Sequence, residues 1–161
     1  RFNEVTRAQF EQAGLRILVE SETAGVHLAT SADGFRIVFF QGHPEYDTIS
    51  LLKEYKREVA RFSKGERPDY PPLLDNYFSL KAQAILAEHR ERVVAAHAQG
   101  KIVPEFPEPL IGANLDNTWH DTAEAVIDNW VGKVYQITNH DRRLPFQQGT
   151  DPNNPLGLGH P

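Results

Sequence analysis

Six residues, Gly42-His43-Pro44-Glu45-Tyr46-Asp47, follow the apolar run Phe35-Arg36-Ile37-Val38-Phe39-Phe40 after the single residue Gln41. In an extended segment residues i and i+2 point to the same side, so a strand ending in His-x-Glu can project His43 and Glu45 into one cleft. A carboxylate beside an imidazole sets its tautomer and stabilises the imidazolium, which poises a histidine to activate a nucleophile. Pro44 fixes one backbone angle between them. The pair falls at a strand-to-helix edge, where open α/β sheets place their ligands. His43 is therefore the candidate base and Glu45 its orienting carboxylate. A matching nucleophile does not stand out. None of Ser21, Ser31, Ser50, Ser63 and Ser79 occupies a Gly-x-Ser-x-Gly elbow, and there is no cysteine.

Glu54 and Arg57 sit one helical turn apart on the segment that follows. By spacing alone they read as an i, i+3 ion pair on a solvated face, worth about 0.2–0.5 kcal/mol. Arg is also the side chain suited to bidentate carboxylate binding. The helix that carries the pair starts at His43 and Glu45, which makes both residues candidates for substrate contact. His89 and His97, eight residues apart, do not suit a single ion, and His120, His140 and His160 lack partners at ligand spacing, so no metal site is expected. Gly157-Leu158-Gly159 precedes nothing helical and is not a phosphate loop.

The elements that must position these residues follow from punctuation and periodicity. Thr6-Arg7-Ala8-Gln9 reads as a capping box opening a short helix that stops at Gly14. Residues 15–21, 26–31 and 35–41 read as three strands joined by short Gly-containing turns. The faces of the first are ambiguous, and the third is apolar enough to be covered on both sides. A helix is expected over 48–62, with Ile49, Leu52, Tyr55 and Val59 at helical spacing and Asp47 as N-cap. Prolines make 64–72 a loop and break the chain again at 104–109. Between them a long helix is expected over 79–98, ended by Gly100. A third helix, 118–137, carries the stripe Trp119, Ala123, Val126, Ile127, Trp130, Val134 and Ile137, which reads as core or subunit interface.

Composition narrows the classes. A chain of 161 residues is about one domain long, with 40% hydrophobic and 24% charged residues. The net charge of −5 argues against nucleic-acid and membrane-surface partners. No apolar run approaches the roughly 20 residues of a membrane span. The absence of cysteine removes disulfides and thiolate metal sites and fits a cytoplasmic location. There is no Met, and the chain begins Arg1-Phe2-Asn3, so a processed chain or a piece of a longer protein is expected.

Five stretches together carry a resemblance. They are Val38-Phe39-Phe40-Gln41-Gly42-His43-Pro44-Glu45-Tyr46-Asp47, then Leu52-Lys53-Glu54-Tyr55-Lys56-Arg57-Glu58, then Asn76-Tyr77-Phe78. Thr118-Trp119-His120 and Asn129-Trp130-Val131-Gly132-Lys133-Val134-Tyr135-Gln136-Ile137-Thr138 follow. The chain resembles, over about residues 1–143, the C-terminal half of homoserine O-acyltransferases of the homoserine O-succinyltransferase type. His-Pro-Glu alone is shared with class I glutamine amidotransferases; Tyr46-Asp47 and Arg57 make the likeness specific. It departs from the family pattern at about 80–116, which is longer here, and in the tail after Arg143.

The resemblance implies an α/β fold, the C-terminal portion of a class I glutamine amidotransferase-like (flavodoxin-like) domain over 1–143, with an extended or disordered tail at 144–161. It implies an enzyme in which an active-site Cys takes a succinyl or acetyl group from an acyl-CoA and passes it to the hydroxyl of homoserine, in methionine biosynthesis. That Cys belongs to an N-terminal half this chain lacks, and Arg1 falls just after a family stretch bearing a substrate-binding serine. On this likeness His43 is the general base, Glu45 its orienting partner, Arg57 the group that binds the amino-acid moiety of homoserine, and Glu54 an active-site helix position. Acyl-CoA is a co-substrate, no other cofactor is implied, and a homodimer is expected. This chain alone is expected to be inert. Two other readings stay open: a related acyl or amide transfer on another substrate, and a truncated, non-catalytic homologue acting as a binding module.

Overall fold

The structure is a computed structural model that describes residues 4–157. Arg1, Phe2 and Asn3, and Leu158, Gly159, His160 and Pro161 of the tail, lie outside the described residues. The chain divides into two compact units, Arg1–Glu45 with Trp119–Pro161, and Tyr46–Thr118.

The first unit opens with α1 (Arg7–Gln12), where Thr6 and Gln9 form the expected reciprocal capping box. Such a cap stabilises a helix end by about 1 kcal/mol, which matters for a helix this short. Gly14 at φ 71° reverses the chain into β1 (Arg16–Ser21). β1 pairs antiparallel with β2 (Gly25–Thr30), which pairs antiparallel with β3 (Val38–Phe40) in the order β1-β2-β3. The ambiguous faces of β1 have a cause. Ile17 pairs with Ala29 and Val19 with Leu28, so Leu18 is an extra residue that flips the alternation, a bulge. Phe10, Val26 and Ala29 form the core beside the hairpin, with Leu15 and Ile17 packed on it.

β3 is shorter than the 35–41 expected for it. The residues missing from its start spend their amides on side chains of the preceding loop. Asp33 Oδ1 accepts from Phe35 N at 3.2 Å and Arg36 N at 3.0 Å, and Ser31 Oγ accepts from Ile37 N at 3.0 Å. Local side-chain acceptors thus outcompete the ladder. Nor is β3 covered on both faces among the described residues, since Phe39 is 37% exposed.

In the same unit α5 (His120–Ile137) presents its stripe as expected. Trp119, Ala123, Val126, Ile127, Trp130 and Val134 are half-buried and Ile137 is buried. Trp130 donates its indole N–H to the Phe35 carbonyl at 2.6 Å. Phe35, Ile137 and Phe146 form a second core cluster, against which Trp130, Val134 and Leu156 pack. The chain after α5 is tied back here. Gln147 donates its backbone N–H to Ile137 at 2.7 Å and its side-chain amide to Thr138 at 2.9 Å.

The second unit holds α2 (Ser50–Ser63), α3 (Leu80–Ala98) and α4 (Glu108–Gly112). α2 buries Leu52, Tyr55, Val59 and Phe62 at helical spacing. Asp47 is not its N-cap. Ile49 holds that position, and the Asp47 carboxylate instead accepts from Ile49 N at 3.0 Å and Ser50 Oγ at 2.7 Å, closing the turn just before the helix. Tyr77 pins the same end: its hydroxyl donates to the Thr48 carbonyl at 2.6 Å and accepts from Leu52 N at 3.1 Å. α3 is capped by Ser79, which accepts from Ala82 N, and stops just before Gly100 at φ 61°. The short α4 lies where prolines led us to expect only a break; Pro109 falls in its first turn, where proline is tolerated.

α3 buries Ala82, Leu86, His89 and Val93. His89 is 1% exposed, stands edge-on to Phe106 with ring centroids 5.3 Å apart, and its Nδ1 has no hydrogen-bond partner among the described residues. Burial, reinforced by Arg92, holds its imidazole below the ordinary value of 6.5. Protons therefore bind the unfolded chain first. This group's contribution is whole above about pH 6.5 and is lost as pH falls, at no more than about 1.4 kcal/mol per pH unit. In His89→Leu, the drop in urea midpoint between pH 7.5 and pH 5.5 should be smaller than in the parent protein; an equal drop would show that His89 does not carry this dependence.

Candidate active site

β3 ends at Phe40, and the chain leaves the sheet through Gln41, Gly42 and His43. Gln41 N–H still donates to the His27 carbonyl at 2.9 Å, one position past the last ladder pair. Beyond it the backbone turns, and His43 Nδ1 meets Glu45 Oε1 at 2.7 Å. The two side chains therefore meet across a turn at Pro44 and Glu45, and not from one face of an extended strand as the spacing led us to expect. Both are open to solvent, at 60% and 67% of their side-chain surface. The hydrogen bond from His43 comes first among the causes that hold the Glu45 carboxyl below the usual glutamate range, followed by a backbone N–H. Against an ionised carboxylate, Nδ1 carries the proton and donates it, so Nε2 is the nitrogen at which a proton is taken up or released.

The turn also depends on two groups that spacing did not single out. The Gln41 side chain accepts from Val5 N at 2.8 Å and donates to the Val5 and Val26 carbonyls, each at 2.8 Å. Gly42 lies against the His27 ring: a Cβ there would stand 2.8 Å from His27 Cε1 and 3.0 Å from Nδ1. A glutamine ending an apolar strand was the available signal. Its partners, 36 and 15 residues away, could not be read from it.

Glu54 and Arg57 belong to α2, in the second unit. They do not pair with each other among the described residues. Glu54 accepts from the Tyr46 hydroxyl at 2.7 Å, and Arg57, 68% exposed, stands 3.8 Å from Glu58 Oε1. The i, i+3 ion pair is therefore replaced by a neutral donor on Glu54. Among the described residues no group of three or more His, Asp or Glu is placed to hold a metal ion. A cleft of about 360 Å³ in the first unit is lined by Phe35, Trp130, Val134 and Phe146, with Arg36 and Thr138; neither His43 nor Glu45 lines it.

The sequence model for homoserine O-succinyltransferase (HTS) matches residues 1–140. The chain belongs to this family. A homoserine O-succinyltransferase from Allochromatium vinosum is 69% identical over 158 residues, which is 98% of this chain and 44% of the relative. Those from Thioalkalivibrio nitratireducens and Nitrosococcus oceani are 65% and 61% identical, over 97% and 100% of this chain and 44% and 45% of theirs. The chain therefore spans a little under half the length of these relatives, and the similarity runs on past residue 140. No solved structure matches it.

In this family member the His43–Glu45 contact is readable directly. His43→Ala removes the bond that comes first in lowering Glu45, so the Glu45 carboxyl midpoint should rise toward the ordinary value of about 4.3, followed by carboxyl carbon NMR. An unchanged midpoint would mean that the two side chains do not bond in solution.

Proposed function

We propose that the intact protein containing this chain is a homoserine O-acyltransferase that moves a succinyl or acetyl group from an acyl-CoA to the hydroxyl of homoserine. The observation that carries this reading is the 2.7 Å contact between His43 Nδ1 and Glu45, in a chain that belongs to the homoserine O-succinyltransferase family. The relatives are named homoserine O-succinyltransferases, and a base oriented by a carboxylate suits the acyl transfer proposed here.

The proposed chemistry runs in two halves. A Cys outside this chain loses its thiol proton to His43 Nε2 and attacks the acyl-CoA carbonyl; the CoA sulfur departs and takes up the proton. The homoserine hydroxyl then attacks the resulting thioester, gives its proton to His43, and the Cys sulfur leaves and is reprotonated. Glu45 keeps Nδ1 protonated throughout and stabilises the imidazolium formed in each half. Arg57 is the proposed partner of the homoserine carboxylate, since a guanidinium suits that planar group, and Glu54 the proposed acidic position on the same helix. On this reading the three strands and α5 form part of a glutamine amidotransferase-like α/β domain. The nucleophile comes from the rest of the protein, which acts as a homodimer in the cytoplasm.

The test uses the full-length protein with homoserine and either succinyl-CoA or acetyl-CoA, following release of CoA thiol. His43→Ala should lower kcat/KM by about 10²–10⁴-fold, the range of a general base. Arg57→Ala should act mainly on KM for homoserine. Transfer undiminished by His43→Ala, or absent with both donors in the parent protein, would reject the reading.

A further inference from the structure

We infer that Gln41 is the positioning residue of the His43–Glu45 pair, with its carboxamide clamped between Val5 and Val26 and the Gly42 backbone seated on the His27 ring. The inference rests on the proposed acyl transfer only for its kinetic readout.

Both amide functions are committed. Oε1 accepts from the Val5 backbone N–H, and Nε2 donates to the carbonyls of Val5 and Val26, all at 2.8 Å. With its own N–H on the His27 carbonyl at 2.9 Å, Gln41 is held from main chain and side chain alike. Val5 presents both of its backbone groups to this one carboxamide, which therefore replaces the strand neighbour that the segment would otherwise need. The link joins the segment just before α1, the central strand β2 and the last residues of β3 at one place. His43 is two residues further on.

Gly42 supplies the second, independent contact. The His27 ring occupies the space a Cβ would need, and it is edge-on to Phe40 with centroids 5.9 Å apart. Gly42 carries no positive φ, so what its missing side chain provides here is room for the ring and not a backbone angle. The backbone between Gln41 and His43 is thus held by a carboxamide at Gln41 and packed against an imidazole at Gly42. A positioned base is worth far more than a mobile one, because small misplacements at a reacting centre carry large rate penalties.

Gln41→Met keeps the length of the side chain and removes its three side-chain bonds, while Gly42→Ala keeps those bonds and pushes on His27. Both are made in the full-length protein. Each should lower kcat by about 10-fold or more with KM for homoserine and acyl-CoA within about 2-fold, and each should raise the Glu45 carboxyl midpoint as the bond to His43 is lost. In a His43→Ala background Gln41→Met should cost less than about 2-fold further, because there is no longer an imidazole to place. Gln41→Asn and Gln41→Met with Glu45 midpoints and kcat equal to the parent's would overturn the inference, as would a full additive loss in the His43→Ala background. The Glu45 midpoint is read without activity, so a failed acyl-transfer reading and a failed clamp give different results. Should Gln41→Met not fold, Gly42→Ala decides alone on the same two readouts.

Discussion

The arrangement around His43 depends on a short sheet ladder. β3 pairs for only three residues, and its start is delayed because the amides of Phe35, Arg36 and Ile37 are taken by Asp33 and Ser31. A strand this short cannot by itself hold the chain that leaves it. The backbone leaving Phe40 is held by one further backbone bond, from Gln41 N–H to the His27 carbonyl, and by the Gln41 carboxamide, which reaches Val5 and Val26. The loop chemistry before the strand and the clamp after it are two sides of one constraint: backbone hydrogen bonds not made in the ladder have to be made elsewhere.

That constraint explains why an exposed pair can still be ordered. His43 and Glu45 have little packing around them, and a surface ion pair of this kind contributes little to stability. Its geometry has to come from the backbone that carries it. In the first unit that backbone is anchored close by, at His27, Val5 and Val26, while Trp130 ties the start of the same segment at the Phe35 carbonyl. The second unit has its own order. Tyr77 and Asp47 fix the start of α2 and hence where Glu54 and Arg57 stand on it.

Much of the fold was legible wherever a local signal was strong. The Thr6–Gln9 capping box, the stop before Gly100 and the α5 stripe all match the structure, because caps and helical periodicity involve partners within a few residues. The errors fell where competition was decided by side chains. Asp47 looked like a helix cap and is a turn-closing acceptor; Glu54 looked like the partner of Arg57 and instead takes the Tyr46 hydroxyl. The extra residue at Leu18 hid the alternation of β1, and the apolar character of 35–41 overstated the length of β3.

The sequence by itself determined the family and the helix faces, since each is a matter of residue type and short-range period, whereas His43 and Glu45 meet across a turn that strand spacing did not foresee. Only the tertiary structure decided that Nδ1 rather than Nε2 meets Glu45, that Gln41 reaches Val5 and Val26, and that His27 sits on Gly42. Those contacts join residues up to 36 apart along the chain. No periodicity encodes such a pairing; it exists only once the strands have brought their backbones together.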